Sequence, residues 1–233
     1  MAERLNAAVL KTVIGAILSG VRIPLLPPLF TLMEQQGLIN QLEKLKTECL
    51  SCQRCELSKY RTNIVFSDGN PRSKIMLIGE APGENEDLQG KPFVGKSGQL
   101  LDKILESVGL SRKTNVYICN TIKCRPPNNR NPLPIEKENC RSYLDKQIEL
   151  IKPEIILLCG AVAVSSILPS NKLGITKIHG NWFDYNGILV MPIYHPAYLL
   201  RNPSKEVGSP KWQMYQDMKK IRAKFLELTN GEK

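Results

Sequence analysis

Three of the seven cysteines in this 233-residue chain, Cys49, Cys52 and Cys55, follow a C-x-x-C-x-x-C spacing. Cys124 and Cys140 come later, separated by 15 residues. Four soft thiolates in two pairs suit tetrahedral zinc or an iron–sulfur cluster. Spacing chooses neither the metal nor two ligands among the first three cysteines, and the competing reading is a set of unligated thiols. Cys119 and Cys159 sit inside apolar runs, where cysteine is usually a small buried hydrophobe. The count is odd and the chain is too long to need a disulfide scaffold, which points to a reducing cytoplasm.

A second constellation consists of polar residues that follow apolar runs: Gly79-Glu80-Ala81-Pro82-Gly83, Asn120, Gly160 and His195-Pro196. In open α/β sheets ligands bind beyond the carboxyl ends of the strands, so Glu80, Asn120 and His195 should converge on one pocket. Each has a plainer reading: a solvated loop carboxylate, a strand-capping amide, a satisfied core histidine. His179 lies in a Gly-flanked turn and is given no role. The run Gly90 to Ser97 (GKPFVGKS) matches the phosphate-loop pattern G-x-x-x-x-G-K-[ST] letter for letter. Its context argues against nucleotide hydrolysis, because acidic, turn-like residues precede it where a strand is required.

Lys and Arg total 32 against 22 acidic residues, a formal charge of +10. So basic a chain usually meets a polyanion, most often nucleic acid, although a merely soluble surface is the alternative. With 42% hydrophobic and 23% charged residues it is globular. Residues 1–32 are apolar between Ala7 and Phe30 but are interrupted by Lys11, Arg22 and three prolines. A spanning helix needs about 20 clean apolar residues, so this stretch reads as a poorly specified extension and no membrane is expected. The remaining residues, 33–233, keep a charge of +8 and read as a single domain.

The elements that must position these residues alternate along the chain. Lys74–Gly79, Val116–Ile122, Glu154–Cys159 and Ile188–Tyr194 read as strands, the last weakened by Pro192. Apolar spacing predicts helices around Ile39–Leu45, Leu100–Val108, Ile135–Ile151 and Ala161–Leu168. A final helix begins with Ser209 and Pro210 as N-cap and first turn. The expected fold is α/β: a three-layer αβα sandwich with a central, mostly parallel four-stranded sheet.

Four segments, in order, carry a resemblance. They are Gly79–Gly83 with Glu86-Asp87; Gly90 to Leu101; Asn120 with Lys123-Cys124-Arg125-Pro126-Pro127; and His195 to Pro203. From about Leu42 to the C-terminus the chain resembles the family 4 uracil-DNA glycosylases, found largely in thermophilic bacteria and archaea. The resemblance implies a base-excision repair enzyme that flips deoxyuridine out of DNA and hydrolyses its N-glycosidic bond, releasing uracil and leaving an abasic site. It implies a 4Fe–4S cluster on Cys52, Cys55, Cys124 and Cys140, with Cys49 a bystander.

Within that resemblance, Phe93 stacks on the pyrimidine, and Asn120 reads its Watson–Crick edge. His195 donates to O2, while Glu80, Ala81 and Pro82 wrap the base. Ala81 stands where better-known uracil glycosylases place a water-positioning aspartate. Glu80 or Glu86 is then left to steady the sugar or orient water, and Glu86 is expected to crowd C5 and exclude thymine. DNA grip is expected from Lys96, Ser97, Lys123, Arg125, Arg130, Arg201, Lys205 and Lys211, with Leu199 or Leu200 wedging into the stack. The substrate is uracil-containing DNA, single- or double-stranded, acted on by a monomer. The rival classes are a DNA-binding module that cuts no bond and a phosphate-loop nucleotidase.

Overall fold

The computed structural model describes residues 29–230, so the expectations for residues 1–28 lie outside the described residues. The chain divides into two units, residues 1–37 and 38–233, and the second carries the whole sheet. Helices and strands begin with α1 (Leu29–Leu50), β1 (Asp68–Gly69), β2 (Ile75–Gly79), α2 (Glu84–Gln89), α3 (Lys96–Glu106) and β3 (Val116–Asn120). Then come α4 (Pro134–Ile151), β4 (Ile155–Cys159), α5 (Ala161–Ile167), α6 (Ile175–Ile178), β5 (Phe183–Tyr185), β6 (Ile188–Ile193), α7 (Pro196–Arg201) and α8 (Pro210–Asn230). Helix α1 starts at Leu29, ahead of the apolar spacing that begins at Ile39, and only its residues from Leu38 on belong to the second unit.

The fold is α/β, with a six-stranded, mixed, mostly parallel sheet ordered β1-β3-β2-β4-β6-β5 and flanked by helices. The four inner strands run parallel, and all five residues of β2 (IMLIG), β3 (VYICN) and β4 (IILLC) are buried. Such continuous apolar runs belong to strands covered on both faces. Alternate residues feed two cores. Ile75, Leu77, Ile118 and Leu157 pack with Leu101 and Leu105 of α3 and Met214, Met218 and Ile221 of α8. Met76, Ile78, Tyr117 and Leu158 pack with Leu144 and Ile148 of α4 and Val164 and Ile167 of α5.

The expectation of four strands is corrected to six. The two additional strands, β1 and β5, are short antiparallel edges of two and three residues. Strand β5 pairs with β6 only as far as Val190, so Pro192 lies beyond it and its missing N–H costs no ladder bond there. Among the described residues, no helix is long and apolar enough to cross a membrane.

Candidate active site

The parallel register puts Gly79 beside Asn120 and Cys159 beside Ile193, so the carboxyl ends of β2, β3, β4 and β6 share one rim. At that rim lies a pocket of about 550 Å³ whose lining includes Glu80, Ala81, Pro82, Phe93, Asn120 and His195. Glu86, Ser97, Arg130 and Arg201 reach the same space. The first stretch is tied to the strand beside it: Thr121 N donates to Gly79 O at 2.9 Å and Thr121 Oγ1 to Glu80 O at 2.5 Å.

Asn120 is 2% exposed, and its Oδ1 is buried without a hydrogen-bond partner. A buried carbonyl left unpaired costs about 1–3 kcal/mol, so this atom is waiting for a donor. Gly79 makes the arrangement possible. A Cβ there would stand 2.4 Å from Asn120 Oδ1 and 2.6 Å from Phe93 Cζ.

His195 is the N-cap of α7, and its Nδ1 accepts from Ala197 N at 3.2 Å. The ring proton is therefore on Nε2. Burial, aided by the Arg201 guanidinium and opposed by the Glu86 carboxylate, pushes the imidazole down to about 4. At neutral pH His195 is thus an uncharged N–H donor. Its ring centroid lies 5.8 Å from that of Phe93, with the planes tilted by 35°.

Phe93 holds a left-handed backbone, φ 53°, which costs a non-glycine residue about 1–3 kcal/mol and needs outside support. Arg112 supplies it, donating to Pro92 O at 3.0 Å and Phe93 O at 2.8 Å while pairing with Asp68 and Asp102. On the other side Glu86 accepts from Val94 N, Gly95 N and Gly83 N at 2.8–3.2 Å. The near-phosphate-loop thus follows helix α2, not a strand, and its first glycine, Gly90, ends that helix with φ 70°.

Burial sorts the residues expected to meet DNA. Lys96 is exposed at the start of α3, and Ser97 and Arg201 line the pocket. Arg125 pairs with Asn129 and Glu84, and Arg130 makes a bidentate pair with Glu136. Lys205 is exposed and Lys211 partly so. Lys123 is corrected: it is 1% exposed, with Nζ donating to Asn120 O at 2.7 Å and Gln147 Oε1 at 2.6 Å, so it cannot reach a phosphate. Leu199 is corrected as well, being a core residue at 1% exposure, whereas Leu200 is 44% exposed.

Cys49, Cys52, Cys55, Cys124 and Cys140 line one small cavity, walled by Tyr143 and Arg61. Arg61 donates to Cys124 Sγ at 3.3 Å and to Cys52 O at 2.7 Å. Among the described residues, no three side chains close on a point as they would around a single ion. The thiols border a cavity instead. Cys119 and Cys159 are wholly buried in β3 and β4, where burial pushes both thiols up. His179 Nδ1 lies 2.6 Å from Asp217 Oδ2, a pairing away from the pocket.

Arg112 escapes a reading of the sequence, because its partners Asp68, Pro92, Phe93 and Asp102 are scattered along the chain. Glu86 is expected from the sequence to crowd C5, but nothing there reveals the backbone amides of Gly83, Val94 and Gly95 that its carboxylate accepts from.

Residues 66–219 match the Uracil DNA glycosylase superfamily. A type-4 uracil-DNA glycosylase of Thermotoga maritima is 48% identical over 157 residues, spanning 67% of this chain and 81% of the relative. One of Sulfurisphaera tokodaii is 42% identical over 191 residues, spanning 79% and 84%. A type-5 uracil-DNA glycosylase of Pyrobaculum aerophilum is more distant, 32% identical over 154 residues and spanning 59% and 67%. With that extent of likeness, and with the four motif segments gathered at one end of the sheet, the chain belongs to the type-4 uracil-DNA glycosylases.

Proposed function

We propose that this chain hydrolyses the N-glycosidic bond of deoxyuridine in DNA, releasing uracil and leaving an abasic site. The unpaired Oδ1 of Asn120, buried in a pocket shared with Phe93 and His195, is the observation that carries this reading. A base inside a duplex is out of reach, so the nucleotide turns out into the pocket and its ring stacks on Phe93. Uracil N3–H then satisfies Oδ1, and the amide nitrogen donates to O4. Cytosine would set its N3 lone pair against the same oxygen and its amino group against the amide donor, leaving buried groups mismatched.

As the bond breaks, negative charge gathers on the departing base. The neutral Nε2–H of His195 is directed to O2, where a preorganised donor is typically worth about 3–4 kcal/mol. Glu86 is committed to three backbone amides and holds the Phe93 turn beside C5. Glu80, whose carboxyl burial pushes upward, is the acid left to orient water or steady the cationic sugar. The helices packed on both faces of the sheet support a three-layer αβα sandwich.

The cysteine-lined cavity supports a 4Fe–4S cluster on Cys52, Cys55, Cys124 and Cys140. When bound, it supplies four iron–thiolate bonds that staple the loop after β3 to the segment after α1. Thiols kept for a cluster and a DNA substrate fit the cytoplasm.

Oligonucleotides carrying one uracil, treated with alkali after incubation, provide the test. Strand cleavage at the uracil position is expected, and Asn120→Ala should lower the excision rate about 10–100-fold with DNA affinity held within a few-fold. DNA binding without base release would overturn the proposal, and equal loss of binding and excision would reduce Asn120 to a structural role.

A further inference from the structure

Beside the uracil pocket, between α3, α7 and α8, runs a groove of about 440 Å³ that the reaction does not use. Its floor is apolar, formed by Ile104, Leu199 and Met214. Trp212 and Tyr215, three apart on one face of α8, stand at its rim 36% and 45% exposed. Large aromatics left this open on a basic protein call for an occupant with flat faces. Lys103, Lys205 and Lys211 line the groove, and no acidic residue does. Lys219 adds a fourth ammonium, 5.8 Å from the Tyr215 ring centroid.

The two sites share their walls. On α3, Ser97 lines the uracil pocket, while Lys103 and Ile104 line the groove about 10 Å further along the helix. On α7, Tyr198 and Arg201 face the pocket and Leu199 faces the groove. A strand advances about 3.4 Å per stacked nucleotide, and further when unstacked, so the groove lies a few nucleotides from the flipped base. Aromatic platforms among lysines are how proteins hold single strands without reading their sequence.

We propose that this groove receives unstacked bases of the substrate strand next to the extruded deoxyuridine, so that single-stranded DNA is held by stacking as well as by charge. The proposal rests on DNA being the substrate, but its test does not depend on catalysis.

Binding of a fluorescein-labelled, uracil-free single-stranded oligothymidylate is measured by fluorescence anisotropy, with a duplex of equal length alongside. Trp212→Ala or Tyr215→Ala should weaken single-strand binding about tenfold and leave duplex binding unchanged, and Trp212→Phe should restore most of the loss. Exchanging Lys103, Lys205 and Lys211 together for glutamine should flatten the slope of log affinity against log salt by about 2. Single-strand affinity unchanged in Trp212→Ala would overturn the proposal, as would equal losses on single strand and duplex. So would competition by polyglutamate that depends on Trp212 as the oligonucleotide does. Loss of uracil release with single-strand binding intact would count against the glycosylase reading alone, whereas uracil release with a neutral Trp212→Ala would count against the groove alone.

Discussion

The His195 imidazole is neutral because the folded chain refuses it a proton, and that refusal has a price in stability. Its imidazole is pushed down to about 4, while the unfolded chain binds the proton near the usual 6.5. The unfolded state therefore gains protons first as the solution is acidified. Stability is full above about pH 6.5 and falls as the pH drops toward 4, by about 2–3 kcal/mol at pH 4.5. Denaturant unfolding at pH 7 and 4.5 should show that loss in the wild type and not in His195→Gln; equal losses would mean that the imidazole titrates normally when folded. Lys123 makes a contrasting case at the same scale. In sequence it is one more cation in a basic loop, because Gln147, which receives its ammonium, is 24 positions away. Lys123→Met should cost about 1–3 kcal/mol by orphaning Asn120 O and Gln147 Oε1. It should leave the salt dependence of DNA binding unchanged, whereas Arg201→Gln should reduce it.

The turn that presents Phe93 is positioned by three elements at once, and no one of them announces the others in sequence. Strand β2 ends in a residue without a side chain, helix α2 contributes Glu86, and the segment before β3 contributes Arg112. Gly79→Ala would drive a methyl group into Asn120 Oδ1 and the Phe93 ring, so excision should fall by about 100-fold or more while stability falls by only about 1–3 kcal/mol. Arg112→Lys keeps a charge but cannot bridge two carbonyls and two carboxylates, and it should lower the excision rate at temperatures where circular dichroism still shows a folded chain. The inner strands were legible because each is a continuous apolar run, and α3 and α4 because their apolar residues repeat at helical spacing. The edges were not: β1 is too short for any pattern. Strand β5 did carry a signal in Asn186-Gly187, the two-residue turn to β6, with both residues at positive φ. Three residues of strand before it were too few to establish an alternation. Helix α2 was obscured by its own acids, which read as a turn and in fact favour the helix N-terminus.

Across the whole molecule, the cysteine corner and the pocket at the strand ends are mechanically joined. Arg61 holds Cys124, and the next two residues, Thr62 and Asn63, donate to the buried Asp87 carboxylate in α2, one residue from Glu86. Lys123, adjacent to Cys124, holds the backbone of Asn120. Whatever holds Cys124 therefore bears on both sides of the pocket. Sequence spacing could not choose among the first three cysteines, and Cys49 borders the same cavity as the others, at 1% exposure. The choice is settled by counting iron. Purified protein should be brown with about four irons per chain. Cys49→Ala should keep both the colour and the count and lose only the packing of a small buried side chain. Cys55→Ala should lose the colour, and the loosened staple should then expose the loop after Cys124 to trypsin at Arg130 and slow uracil excision in parallel. Iron loss from Cys49→Ala with retention in Cys55→Ala would move the ligand set by one cysteine. Stoichiometric zinc without colour would remove the cluster, leaving the corner a structural metal site and the pocket chemistry intact.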